Sequence, residues 1–137
     1  MGGSLIYSEG SSSDLLEMSP IEITNGINNA QLKAIEEIIK LSQNNDINVI
    51  FIETPKSLII EQYPEYQDIM NQYSALLEKN NCPYIVSETT YEQLDNKSNS
   101  KYYSFDSADT KYFHDQIHLS SEGSAEFSKE LLEIISQ

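Results

Sequence analysis

The run Ile47-Asn48-Val49-Ile50-Phe51-Ile52 decides the fold class of this chain. Its residues are nearly all apolar and mostly β-branched, which is typical of a parallel strand covered on both faces. Pro55 follows shortly afterwards and ends the pairing, because proline has no backbone N–H to donate to a neighbouring strand. We therefore predict that residues 47–52 form the central strand of a parallel sheet.

Helical patterns flank this strand on both sides. Residues 32–45 and 66–80 each carry apolar side chains at helical spacing, with charged side chains between them. A second short strand is predicted at residues 83–86. This alternation of helices and strands predicts an α/β fold, a three-layer sandwich with a short parallel sheet between helices.

The remaining segments are predicted to be two loops and a closing helix. Residues 56–65 form a loop at the C-terminal end of the first strand, where α/β folds place ligand contacts. Residues 88–111 are polar and without a clear period, so we predict a long surface loop that walls the site described next. A closing helix is predicted from about Ser121. Its expected buried residues are Ala125, Phe127, Leu131, Ile134 and Ile135.

Residues suited to catalysis are concentrated just before that helix, in the stretch Tyr112-Phe113-His114-Asp115-Gln116-Ile117-His118-Leu119-Ser120-Ser121-Glu122-Gly123. Asp115 precedes His118 by three residues, about one turn of a tight helix, so both side chains are predicted to share one face. There the carboxylate accepts the imidazole Nδ1–H, and Nε2 takes a proton from a hydroxyl. This pair is the base and orienting half of a serine hydrolase triad.

Two other interpretations of this stretch stay open. His114 and His118 have the i, i+4 spacing of helical metal ligands, but the chain has only two histidines and its one cysteine is distant. We therefore predict no metal site. Alternatively, Asp115 and His118 only cap the closing helix.

The pattern Asp-x-x-His-Leu-x-x-x-Gly before a closing helix resembles the last motif block of the SGNH (GDSL-type) hydrolases. This family contains esterases, lipases and O-acetyl transferases, and the similarity to its bacterial cell-surface-polysaccharide branch covers about residues 26–137. The resemblance implies a flavodoxin-like fold, His118 as general base, Asp115 as its orienting group and no cofactor. It also implies an ester-bearing carbohydrate or small molecule as substrate.

The earlier motif blocks of that family are not intact in this chain. Gly10-Ser11-Ser12 resembles a variant of the nucleophile block, which makes Ser12 the candidate nucleophile. Gly26-Ile27-Asn28-Asn29 resembles a variant of the block that binds the oxyanion, which makes Gly26 and Asn28 candidate donors. The same two segments also fit a flexible linker and a turn with a helix N-cap.

The short spacing between these two blocks argues against a complete triad in this chain. Only residues 13–20 lie between the two blocks, whereas a crossover between parallel strands needs about a dozen or more residues. We therefore predict that Ser12 stays well away from His118 and that the chain begins inside the family fold. Residues 1–25 are then a linker or edge segment and residues 26–137 the domain. An incomplete sheet of this kind needs its edge covered, by residues 1–25 or by a second copy of the chain.

Composition limits the possible partners and compartments. Asp and Glu total 22 against 8 Lys and Arg, so the formal net charge of −14 disfavours nucleic acids and anionic lipid surfaces. The single Cys82 excludes an internal disulfide, and we predict that it is buried and unreactive. No apolar run approaches the 18 or so residues of a membrane span.

The first residues of the chain bear on the cellular compartment in which the protein acts. They lack the basic and long apolar regions of a signal peptide, although the family branch acts outside the cytoplasm. We therefore expect missing upstream sequence and leave the compartment open. Two functions follow from the sequence: an ester hydrolase or O-acyl transferase domain, or a truncated or degenerate SGNH-like domain that serves as a binding or structural module.

Overall fold

A computed structural model describes residues 29–137, so Ser12, Gly26 and Asn28 lie outside the described residues. The helices and strands are α1 Asn29–Asn44, β1 Phe51–Ile52, α2 Leu58–Glu61, α3 Pro64–Lys79, β2 Tyr84–Ser87, α4 Glu88–Gln93, β3 Ser100–Tyr103, a 3₁₀ helix Thr110–Tyr112 and α5 Ser121–Ile135. Helices with a three-stranded sheet make a small α/β fold, as predicted. Within this range, no helix combines the length and apolar character that crossing a membrane requires.

The sheet has the order β1-β2-β3, so among the described strands β2 is central and β1 is at one end. β1 and β2 run parallel, with Phe51 opposite Tyr84 and Ile52 opposite Ile85. All four residues of β2 are buried. The central position that we predicted for residues 47–52 is therefore taken, in this sheet, by the shorter apolar segment that follows α3.

Strand β1 is also shorter and less covered than expected. Val49 and Phe51 pack against the core, whereas Ile47, Ile50 and Ile52 are 57%, 47% and 39% exposed. From Val49 to Ile52, burial thus alternates as in a strand with one covered face, whereas Ile47 lies before this pattern and is exposed. The prediction that both faces are covered was wrong because apolar residues occupy both faces of this strand. Its composition therefore does not reveal which face is covered.

The contacts divide the described residues into two compact units, and the first contains residues 29–53 and 64–102. Its core comprises Ile39, Leu77, Cys82, Tyr84, Val86 and Leu94. Ile39 comes from α1 and Leu77 from α3, the two long helices predicted from periodicity. Cys82 is buried as expected, and desolvation by this burial raises the pKa of its thiol.

A buried carboxylate follows β1 in the same unit. Glu53 is 8% exposed and accepts hydrogen bonds from the Tyr66 hydroxyl, from the Ser87 backbone N–H at 2.8 Å and from the Thr90 hydroxyl at 2.9 Å. Three donors compensate the loss of water around the carboxyl group. They also tie the end of β1 to the start of α4, where Ser87 is the N-cap.

The second unit contains residues 54–63 and 103–137. Its buried apolar side chains are those of Ile60, Tyr103, Phe113, Leu119 and Phe127. The rings of Tyr103 and Phe127 meet edge to face, with their centroids 5.0 Å apart. The closing helix α5 begins at Ser121 as predicted, and Phe127 is buried.

Three predictions, one about buried side chains and two about loops, were wrong. In α5, Ala125 and Ile135 are exposed rather than buried. The polar stretch 88–111 is not one long loop, because it holds α4, β3 and the 3₁₀ helix, and the loop 56–65 holds α2. These elements are three to six residues long, too short to show a period in the sequence.

Candidate functional site

Asp115 and His118 lie together, as the sequence predicted. His118 Nδ1 is 2.9 Å from Asp115 Oδ1 and 2.8 Å from Oδ2. The side chains of His118 and Asp115 are 40% and 45% exposed, so the imidazole is accessible to a small molecule while it remains paired. This geometry fits a histidine base held by a carboxylate, and the catalytic role itself stays a prediction.

The backbone that brings the two side chains together is a tight loop and not the helical turn that we expected. Residues 114–118 are not helical, and Asp115 Oδ1 accepts the backbone N–H of Ile117 at 3.0 Å and of His118 at 2.7 Å. These bonds form an Asx turn, in which an aspartate side chain replaces a backbone acceptor. The carboxylate therefore shapes the loop and holds the ring at the same time.

The two ends of this loop are joined at its neck. Phe113 and Leu119, both buried, form an antiparallel bridge. The His118 carbonyl accepts the backbone N–H of His114 at 2.8 Å and, more weakly, that of Asp115 at 3.4 Å. The loop thus projects from a closed, apolar base, and bonds among its own residues contribute to its conformation.

The electrostatics of Asp115 reflect this arrangement. Partial burial of the carboxyl group acts to raise its pKa. Hydrogen bonds from the His118 ring and from the backbone N–H groups of Ile117 and His118 act in the opposite direction, and the pKa of Asp115 is lowered overall from 3.8. Asp115 is therefore ionised at neutral pH, as an orienting carboxylate must be.

The start of α5 is fixed by a cap and by a glycine. Ser120 Oγ accepts the Gly123 N–H at 3.1 Å and donates to the Lys111 carbonyl at 2.6 Å. A Cβ atom at position 123 would lie 1.9 Å from the Tyr112 carbonyl oxygen. Only glycine allows the first turn of α5 to approach the 3₁₀ helix this closely.

These contacts bear on the two other interpretations of the Asp-His stretch. The N-cap of α5 is Ser120, so the interpretation of Asp115 and His118 as caps is wrong. His114 and His118 lie in a loop, so they lack the helical geometry on which the metal interpretation depended. Among residues 29–137, no group of three or more His, Cys, Asp or Glu side chains is arranged to hold a metal ion.

The other predicted site residues come from the part of the chain before residue 29. Ser12, Gly26 and Asn28 precede residue 29 and lie outside the described residues, so the nucleophile and the oxyanion donors stay predictions.

Sequence reasoning missed one residue that contacts the loop. Ser57 donates its hydroxyl to the Gln116 carbonyl at 2.9 Å, across 59 residues of sequence. A serine just before a short helix signals only an N-cap. No local pattern could have revealed so distant a partner.

The chain was compared with models of protein families, with curated protein sequences and with solved structures, and no significant match was found. The assignment of a function therefore depends on the geometry of the site and on the motif that it contains.

Proposed function

We propose that this chain is an SGNH-type serine ester hydrolase or O-acyl transferase domain in which Asp115 and His118 supply the base half of the triad. The observation that supports the proposal is the position of the Asp115 carboxylate, with both oxygens within 2.9 Å of His118 Nδ1. A carboxylate there favours the tautomer with its proton on Nδ1. The proton acceptor is then Nε2, as general-base catalysis requires.

The mechanism follows from that tautomer. Nε2 removes the proton of a serine hydroxyl while its oxygen attacks the ester carbonyl, and Asp115 stabilises the imidazolium that forms. The imidazolium returns the proton to the leaving alcohol, which leaves an acyl-enzyme. Water, or a hydroxyl of a second carbohydrate, then gives up a proton to Nε2 and takes the acyl group, and the imidazolium returns this proton to the serine oxygen as the acyl–serine bond breaks. No cofactor takes part in this scheme.

Ser12 is the candidate nucleophile, with the Gly26 backbone and the Asn28 amide as candidate oxyanion donors. The eight residues 13–20 are too few for a standard crossover. For Ser12 to reach His118, the chain between the two blocks must therefore take a path other than a standard crossover. The alternative nucleophile is a serine from elsewhere in this chain or from a second copy. The proposed substrate is an ester-bearing carbohydrate or small molecule.

A non-catalytic SGNH-like domain is the second candidate, and a specific observation favours it. The Asx-turn bonds of Asp115 would shape the loop even without catalysis, because they satisfy backbone N–H groups. A degenerate domain that serves as a binding or structural module could therefore retain Asp115 for folding alone.

Hydrolysis of p-nitrophenyl acetate separates the two candidates. We expect His118→Ala to lower the rate of the full chain by about 100- to 10,000-fold, the usual contribution of a general base. His114→Ala is the matched control, since it removes the other imidazole and leaves the Asp115 pair in place, and it should keep the rate. Equal low rates in the wild type and in His118→Ala would contradict the catalytic proposal and support the non-catalytic one.

A further inference from the structure

The loop that carries Asp115 and His118 is anchored by Ser57, a distant residue of the same compact unit. The Ser57 backbone N–H and hydroxyl donate to one acceptor, the Gln116 carbonyl oxygen, at 3.0 Å and 2.9 Å. Gln116 directly follows Asp115 and stands two residues before His118. Ser57 is 0% exposed and Gln116 is 2% exposed, so both hydrogen bonds are shielded from water.

Ser57 does not use its hydroxyl as a residue in its position normally does. It is the N-cap of α2, where a serine side chain usually accepts an N–H of the first helical turn, but no such bond forms here. The helix begins instead with the Ser57 carbonyl, which accepts the N–H groups of Ile60 and Glu61 at 3.0 Å each. The hydroxyl is therefore used on the loop and not on its own helix.

The internal bonds of the loop and the bonds from Ser57 have different effects. The Asx turn of Asp115 fixes the shape of the loop, but it involves only residues of the loop. The two bonds to Gln116 fix where the middle of the loop lies relative to α2. A separate bond, from the Leu58 N–H to the Ser107 carbonyl at 3.0 Å, holds the start of α2 itself.

We propose that Ser57 is a positioning residue for the Asp115–His118 pair and that it acts through the Gln116 carbonyl. Loss of the Ser57 hydroxyl lets the centre of the loop move. The His118 ring then spends less time in the orientation that accepts a proton. The catalytic part of this proposal rests on the proposed function. The effect on the ring does not, because it concerns the geometry of the pair alone.

The test uses Ser57→Ala in the full chain, which keeps the backbone bond to Gln116 and removes the hydroxyl bond. Ser74→Ala is the matched control. Ser74 is also buried, and its hydroxyl lies 2.9 Å from the Asn96 carbonyl and 2.8 Å from the Tyr84 hydroxyl, but it has no bond to the loop. Ser74→Ala removes at least as many buried hydrogen bonds as Ser57→Ala, so a change that follows only from a general loss of stability should be at least as large in Ser74→Ala.

Two measurements are made on each variant. In ¹H–¹⁵N spectra of the histidine rings, the His118 Nδ1–H signal is assigned by its loss in His118→Ala. We expect this proton to exchange with water faster in Ser57→Ala and at the wild-type rate in Ser74→Ala. With p-nitrophenyl acetate, we expect Ser57→Ala to lower kcat by about three- to tenfold, the equivalent of one hydrogen bond, at constant KM. Ser57→Cys keeps the shape of the side chain with a weak donor and should give intermediate values.

Each outcome has a distinct meaning. An unchanged ring signal in both Ser57 variants, or equal changes in Ser57→Ala and Ser74→Ala, would overturn the positioning role. If Ser57→Ala does not fold, Ser57→Cys decides by the same two measurements. If the wild type has no esterase activity, the proposed function fails, while the ring signal still tests the role of Ser57.

Discussion

At the scale of single residues, Asp115 combines two functions that are usually separate. Its carboxylate oxygens contact the His118 ring, and one of them also accepts two backbone N–H groups of the loop. The group that orients the base therefore also folds the segment that carries the base. This explains how a separation of three residues suffices without a helix.

The same bonds make the stability of the protein depend on pH through Asp115. The pKa of Asp115 is lower in the folded protein than its ordinary value of 3.8, so the folded state binds fewer protons than the unfolded chain near that pH. The stabilisation by ionised Asp115 is fully present above about pH 4 and is lost as the pH falls through the folded pKa.

Urea unfolding of the wild type and of Asp115→Ala, measured between about pH 7 and about pH 3, checks this dependence. We expect a constant difference in the free energy of unfolding at neutral pH, which shrinks below about pH 4. A difference that is independent of pH would show that the charge of Asp115 contributes nothing to folding.

At the scale of helices and strands, two contacts constrain the junction between the loop and α5. Ser120 caps the helix, and Gly123 allows its first turn to contact the Tyr112 carbonyl. Ser120 and Gly123 are therefore structural requirements for placing the Asp-His loop against α5.

Gly123→Ala tests the requirement for Gly123 through the direction in which it changes the stability of the protein. In an open helix this substitution stabilises by about 0.5–1 kcal/mol, because glycine loses more entropy on folding. Here the new Cβ would meet a backbone oxygen at 1.9 Å, so we expect destabilisation of about 1–3 kcal/mol and a lower Tm. Ser128→Ala, at an exposed position of α5, is the control and should change the Tm little. A gain in stability for Gly123→Ala would contradict the close contact.

The sequence predicted the elements whose pattern is long enough to be distinctive. Helices α1, α3 and α5 each repeat their apolar stripe over 15 or 16 residues, and β2 is a compact apolar segment. Helices α2 and α4 have four and six residues, which is less than two helical turns. The pairing of Asp115 with His118 was predicted, but its turn type was not, because a helical turn and an Asx turn both satisfy a three-residue spacing.

At the scale of the whole molecule, the described residues supply a base and its orienting carboxylate, while Ser12 precedes them in the chain. The described part consists of two compact units, and the Asp-His loop, α2 and α5 all belong to the second. The unit that contains residues 54–63 and 103–137 thus holds the loop, its anchor Ser57 and its helix. Catalysis by the full chain requires that a serine hydroxyl reach His118 Nε2.

Labelling of the full chain with a fluorophosphonate, followed by peptide mass spectrometry, tests this central claim most directly, because the reagent reacts with serines activated by a base. We predict that one serine is modified in the wild type and in His114→Ala, and that His118→Ala abolishes the modification. Modification of Ser12 would identify the nucleophile and show that the short spacing before Gly26 does not prevent its approach. Absence of labelling, or equal labelling of the wild type and His118→Ala, would contradict a catalytic Asp115–His118 pair.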